Sequence, residues 1–273
     1  MTALHLGDRS GLADLAGYLV RLLRYDRAAV VHLRADGPVL GTFGRLPFGG
    51  GTSGVIALRT TELAEPARLD AAYSAGQLLD ALSAADPAGG TAEAGQPDKT
   101  AAPGETAEAE AAATEAAAPA CHEAALPPTT PPTRAIDVVL PAAVTGPPWS
   151  AMLPPRTGWA QLASLPIPGL VREVAEAVGR FRARTEALPA EERTRPALDR
   201  IAEDVWSKAL PGVPGTHVPL RAAHAAASLG FLGAVDAGTE ATVLSVGGWL
   251  RLDGPYGSVS VRRPGATTLF APR

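Results

Sequence analysis

From Ala85 to Thr133 the chain reads ADPAGGTAEAGQPDKTAAPGETAEAEAAATEAAAPACHEAALPPTTPPT, with no aromatic and almost no branched apolar residue. Such a stretch cannot bury enough surface to offset the entropy of ordering it, so a disordered, acidic, Ala/Glu/Pro/Thr-rich linker is expected over 85–133. The linker divides the 273 residues into a segment 1–84 and a segment 134–273, each expected to form a domain. A tether of about 50 residues would keep the two near a millimolar effective concentration, so docking of one on the other is open.

Charge follows the same division. Residues 1–84 carry 8 basic and 8 acidic side chains, 85–133 carry 1 and 8, and 134–273 carry 15 and 12. The net charge of -4 therefore belongs to the linker. The flanking segments are neutral and mildly basic, short of the footprint of a dedicated nucleic-acid binder. All but Lys99 and Lys208 of the 24 basic residues are Arg, a bias that fits a GC-rich coding sequence.

The first segment predicts an α+β unit. Ser10 is a candidate N-cap for a helix with Leu12, Leu15, Leu19, Leu22 and Leu23 on one stripe. Strands are expected near Ala29–Arg34 and Val39–Gly44 around a turn at Asp36-Gly37-Pro38, with a third in GVIALRTTEL. LDAAYSAGQLLDALSA then predicts a second helix. In outline, residues 10–84 resemble a half-module of a DNA sliding clamp, on pattern alone; a ring would need several copies.

The second segment opens with a strand at Ile136–Leu140. A run rich in proline follows, PPWSAMLPPRTGWAQLASLPIPG, in which Trp149, Met152 and Trp159 form a candidate partner surface; otherwise it is an irregular loop whose indoles pack on the helices. A helix with Val171, Val174, Val178 and Phe181 on one side is expected to carry Arg172/Glu176 and Glu176/Arg180 pairs outside. Thr194 caps the next, with Pro196 in its first turn, a stripe of Leu198, Ile201 and Val205, and an Arg200/Asp204 pair. Pro219 opens an Ala-rich helix that Gly230 closes. The chain then predicts a three-stranded β-meander with turns at Gly247-Gly248 and Gly254–Gly257.

Two helices and a meander also follow the order of a winged helix-turn-helix. The second helix, LRAAHAAASLGFL, offers only Arg221, His224 and Ser228 to a groove, and the first is acidic outside, so base readout is not favoured. Arg251, Arg262 and Arg263 of the meander remain candidate phosphate contacts. The stretches PPRTGW and LRAAHAAASLGFLG resemble a group of uncharacterised proteins of high-GC bacteria, a resemblance that implies no activity.

Chemistry is sparse. FGGGTSG at Phe48–Gly54 lacks the Lys-Ser/Thr ending of a phosphate loop and leads into a strand. His32, His217 and His224 are scattered, the single cysteine lies in the linker, and no nucleophile elbow appears. No catalytic residue, cofactor or metal is expected. No stretch approaches 18 apolar residues, so no membrane partner is expected and a cytoplasmic location is. These readings lead to a non-enzymatic interaction or regulatory protein with an unknown protein partner, the alternatives being a DNA-binding regulator and an enzyme whose site is assembled only in space.

Overall fold

A computed structural model describes residues 3–48, 54–86, 135–233 and 238–263. The linker expected over 85–133 lies, apart from its first two residues, outside the described residues, as do residues 49–53 of the Gly-rich loop. The fold is α+β, as the sequence predicts: helices cover one face of an antiparallel sheet of eight strands.

β1 (Ala3–Leu6) leads into α1 (Arg9–Tyr25). The cap of α1 is Asp8 rather than Ser10: its carboxylate accepts the Gly11 backbone N–H at 2.6 Å, meeting one of the donors that a helix start leaves unpaired. β2 (Val30–Leu46) and β3 (Val55–Ser74) form one long hairpin. The turn expected at Asp36-Gly37-Pro38 does not form. β2 runs on through it with a register shift, Gly37 opposing Ala67 and Val39 opposing Glu62. Pro38 and Pro66 both fall in that gap, where neither is asked for a ladder N–H, and Gly37 takes a φ of 123°. Leu69 to Ser74, read as the start of a helix, are strand, because pairing with Val30–Ala35 overrides the helix propensity of an Ala-rich run. α2 (Ala75–Ala85) begins only after them.

Beyond the linker, β4 (Ile136–Val139) pairs with β1, and a strap of irregular chain with a 3-10 turn at Pro148–Ala151 leads to β5 (Ala160–Pro166). α3 (Ile167–Glu186), α4 (Arg195–Trp206) and α5 (Leu220–Ser228) follow, then the meander β6 (Glu240–Val246), β7 (Trp249–Gly254) and β8 (Gly257–Arg262). Thr194 stands at the N-cap of α4, though its side chain makes no capping bond. The Arg172/Glu176 and Glu176/Arg180 pairs form at 3.9 and 3.6 Å. Asp204 pairs with Arg184 of α3 at 3.0 Å instead of with Arg200, so it ties two helices together.

The strand order β4-β1-β3-β8-β7-β6-β5, with β2 on β3, places strands from both sides of the linker in one sheet. The joint is β3 with β8, registered at Ile56–Ser260 and Leu58–Ser258. A second tie runs from Arg59 of β3 to Asp14 of α1 and to the Tyr256 carbonyl in the β7–β8 turn, the latter at 2.6 Å. The meander is therefore inner sheet, not a free wing.

Strand alternation sorts side chains to two faces. Leu40, Val55, Ala57, Leu250, Leu252 and Val259 point to the helices, each at most 1% exposed. The helices bring Leu15, Leu19, Leu22 and Leu170, and the turn after α5 brings Phe231, from before and after the linker into that same core. Contact is so close where α1 crosses β2 that a Cβ on Gly44 would lie 2.4 Å from the Tyr18 hydroxyl and 2.8 Å from Leu22. The Ala-rich face of α5 is buried in close packing at Ala222, Ala223, Ala225 and Ala226.

Candidate interaction face

The other face of the sheet carries Phe43 and Arg45 from β2, Ile56 and Leu58 from β3, Trp249 and Arg251 from β7, and Ser258, Ser260 and Arg262 from β8. Among the described residues no α-helix lies on it. The strap 147–159 crosses it instead and adds Trp149, Leu153 and Trp159 to a small cluster with Phe43, Ile56 and Trp249. The two indoles of the strap thus pack on the sheet, not on the helices as the loop reading supposed. Short-range bonds fold the strap: Ser150 Oγ donates to the Pro147 carbonyl at 2.8 Å, and Trp159 Nε1 donates to that of Pro155 at 2.9 Å. Arg156 anchors it to Asp36 at 3.4 Å.

Of the residues singled out from sequence, five converge here. Trp149, Met152 and Trp159 are half-buried in or beside the strap. The guanidinium of Arg262 lies 4.2 Å from the Trp249 ring centre, and that of Arg251 lies 5.7 Å from Trp159 while pairing with Asp253 at 3.0 Å. Arg263 follows β8 and donates its backbone N–H to the Gly248 carbonyl at 2.9 Å. Arg251 and Arg262 are thus engaged with indoles, a placement in which a flat guanidinium gains from the ring's negative face.

The strap leaves a groove on each side. One, about 270 Å³, runs between Pro154-Pro155-Arg156 and the sheet and is lined by Arg34, Arg251, Phe43 and Leu58 with the hydroxyls of Thr60, Ser258 and Ser260. The other, about 180 Å³, lies between Pro148, Trp149 and Met152 on one side and Trp249, Arg262 and Arg45 on the other. Among the described residues, five arginines and no carboxylate line the two grooves.

The histidines are dispersed. His32 sits on β2, as expected for a strand residue, with Nε2 2.7 Å from Asp70 and Nδ1 buried without a partner. His217 Nε2 lies 2.7 Å from the Ser207 carbonyl. On the exposed edge pair β1–β4, the bond to Asp137 at 2.6 Å raises the pKa of His5. His224 is different: it stands in a cleft between α4 and α5, where burial lowers its pKa to about 4. Among the described residues no group of His, Cys, Asp and Glu is arranged to hold a metal, and no helix is long and apolar enough to cross a membrane.

The groove arginines Arg34, Arg45 and Arg156 escaped the sequence reading. Alternation could have placed Arg45 and Phe43 on one face of β2, but only tertiary pairing shows that this face is the one the strap crosses. Comparison with known proteins gives no activity to transfer. Residues 1–104 match one domain of unknown function (DUF8010), and residues 154–266 match another (DUF8185). No curated protein and no solved structure matches the chain. The chain thus resembles, on either side of its linker, two families without an assigned role.

Proposed function

We propose that this is a non-enzymatic, cytoplasmic interaction or regulatory protein, and that the outer face of its sheet receives an extended acidic segment of a partner protein. The observation that carries the proposal is the lining of the two grooves beside the strap: indole, proline and aliphatic surface with five arginines and no carboxylate among the described residues. Aromatic and Arg side chains on a half-desolvated floor are the composition of protein-binding hot spots, and an acidic partner segment would exchange with Asp70, Asp36 and Asp253, which pair with Arg34, Arg156 and Arg251 from outside the groove linings. Grooves of about 180 and 270 Å³ accept an extended chain better than a helix, whose diameter with side chains is about 10 Å. Arg251 and Arg262, which line the grooves, then serve a peptide carboxylate, with phosphate as the competing ligand.

The test is fluorescence anisotropy of the full chain with a labelled peptide rich in Glu and Pro, against duplex DNA as competitor. The reading expects micromolar peptide affinity, weakened at least about tenfold by Arg34→Glu with Arg156→Glu. Arg172→Glu, on the exposed side of α3, should leave affinity unchanged. Equal affinity in all three proteins overturns the proposal. Tight, salt-dependent DNA binding lost in Arg251→Ala with Arg262→Ala would give the face to nucleic acid instead.

A further inference from the structure

A cavity of about 900 Å³ lies on the helical side, between α4, α5 and the Pro47-Phe48 segment that follows β2. It is built from both sides of the linker, so neither matched region holds it alone. Its wall is a row of rings. Tyr25 meets Phe48 edge-on at 5.0 Å, Phe48 lies 4.8 Å from His224, and His224 stacks on Trp206 at 4.1 Å and 12°. Trp206 is the last ring of the row; it packs against the core, is half-buried, and lines the cleft with Phe48 and His224, so that the exposed part of its indole is where a further flat ring would lie. Burial keeps His224 neutral at pH 7, which makes the row uncharged.

Beside the rings stands Arg221, whose side chain is 7% exposed. A buried guanidinium has five donors to satisfy. Here one contact is made, from Nη2 to Glu203 at 2.7 Å, while Nε and Nη1 have no partner. Glu203 itself is 55% exposed in the cleft, so it can leave Arg221 for water once another anion takes its place on the buried guanidinium. A buried cation held through a single contact by an exposed carboxylate is a site where one anion can exchange for another. Arg200 also lines the cleft and makes no ion pair among the described residues. Asp199 and Glu203 line it too, which disfavours a doubly charged ligand.

We infer that the cleft between α4 and α5 binds a small planar aromatic carboxylate, its ring stacked on Trp206 and its carboxylate replacing Glu203 on Arg221. The site is independent of the outer sheet face, so its failure and that of the acidic-peptide reading are separable.

Isothermal titration of the full chain with naphthalene-2-carboxylate tests it, with 2-naphthamide and naphthyl phosphate as the uncharged and dianionic counterparts. The carboxylate should bind, and the amide at least about tenfold more weakly, since a charge-assisted bidentate contact is lost. Glu203→Gln should tighten carboxylate binding severalfold, because the native competitor for Arg221 is gone. That change is a reading a merely structural Glu203 would not produce. Trp206→Leu and Arg221→Gln should each abolish binding. Should Arg221→Gln fail to fold, Glu203→Gln still decides, its side chain being exposed. Three results overturn the inference: no binding at millimolar carboxylate, equal binding of the amide, or an affinity that Glu203→Gln leaves unchanged or lowers. Tighter binding of naphthyl phosphate overturns the carboxylate assignment.

Discussion

The two faces of the sheet are closed in different ways. Toward the helices, Leu40, Val55, Leu250, Leu252 and Val259 are sealed under side chains from both segments. Toward the strap, Trp249, Phe43 and Ile56 are covered by a single irregular run of prolines and indoles, and arginines lie among them. The first face is what apolar burial produces when stability is the outcome. The second leaves ring edges and guanidinium groups in contact with water, a composition with little to add to the core and much to offer a ligand. One strand thus serves both ends: Leu250 and Leu252 of β7 build the core while Trp249 and Arg251 face the strap.

Substitutions that treat the faces alike would break this contrast. Leu250→Ala, on the sealed side, should cost about 2 to 5 kcal/mol in chemical denaturation, since the cavity is enclosed by rigid neighbours. Gly44→Val should cost about 1 to 3 kcal/mol by pressing a side chain into Tyr18 and Leu22. A smaller effect follows from His224. Its folded pKa, about 4, lies below the ordinary 6.5, so the unfolded chain takes up the proton first as pH falls. Stability is full above pH 6.5 and declines between 6.5 and about 4, by on the order of 2 kcal/mol. Denaturation at pH 7 and 4.5 should show that decline, and His224→Phe should reduce it. On the outer face, Arg262→Ala should cost only about 0.5 to 1 kcal/mol, the worth of a partly exposed cation–π contact.

Local pattern reveals the elements whose faces repeat along the chain. The alternation of Leu250, Leu252, Val259 and Val261 gives the meander, and the Val174 stripe gives α3 with its Arg172/Glu176/Arg180 exterior. Pattern misleads where pairing overrides it, as at Gly37-Pro38, which read as a turn and is the point in β2 opposite a bulge of β3. The joint of β3 with β8 leaves no local trace: Ile56, Leu58, Ser258 and Ser260 alternate as they would in any half-buried strand. The same holds for the cleft. Phe48 reads as loop, Trp206 as a helix end, Arg221 as a polar residue on an apolar helix and His224 as a lone imidazole. Only packing across the linker brings the four together. Trp149, Met152 and Trp159 stand out earlier because indoles among prolines are unusual in any context.

The claim that the strap face recognises while the helical face folds is tested most directly by Trp149→Ala with Trp159→Ala in the full chain, measured for acidic-peptide affinity and for unfolding free energy together. The account predicts affinity lowered at least about tenfold, the loss of two hot-spot rings, with a stability cost smaller than that of Leu250→Ala. Unchanged affinity in a protein that still folds would contradict it.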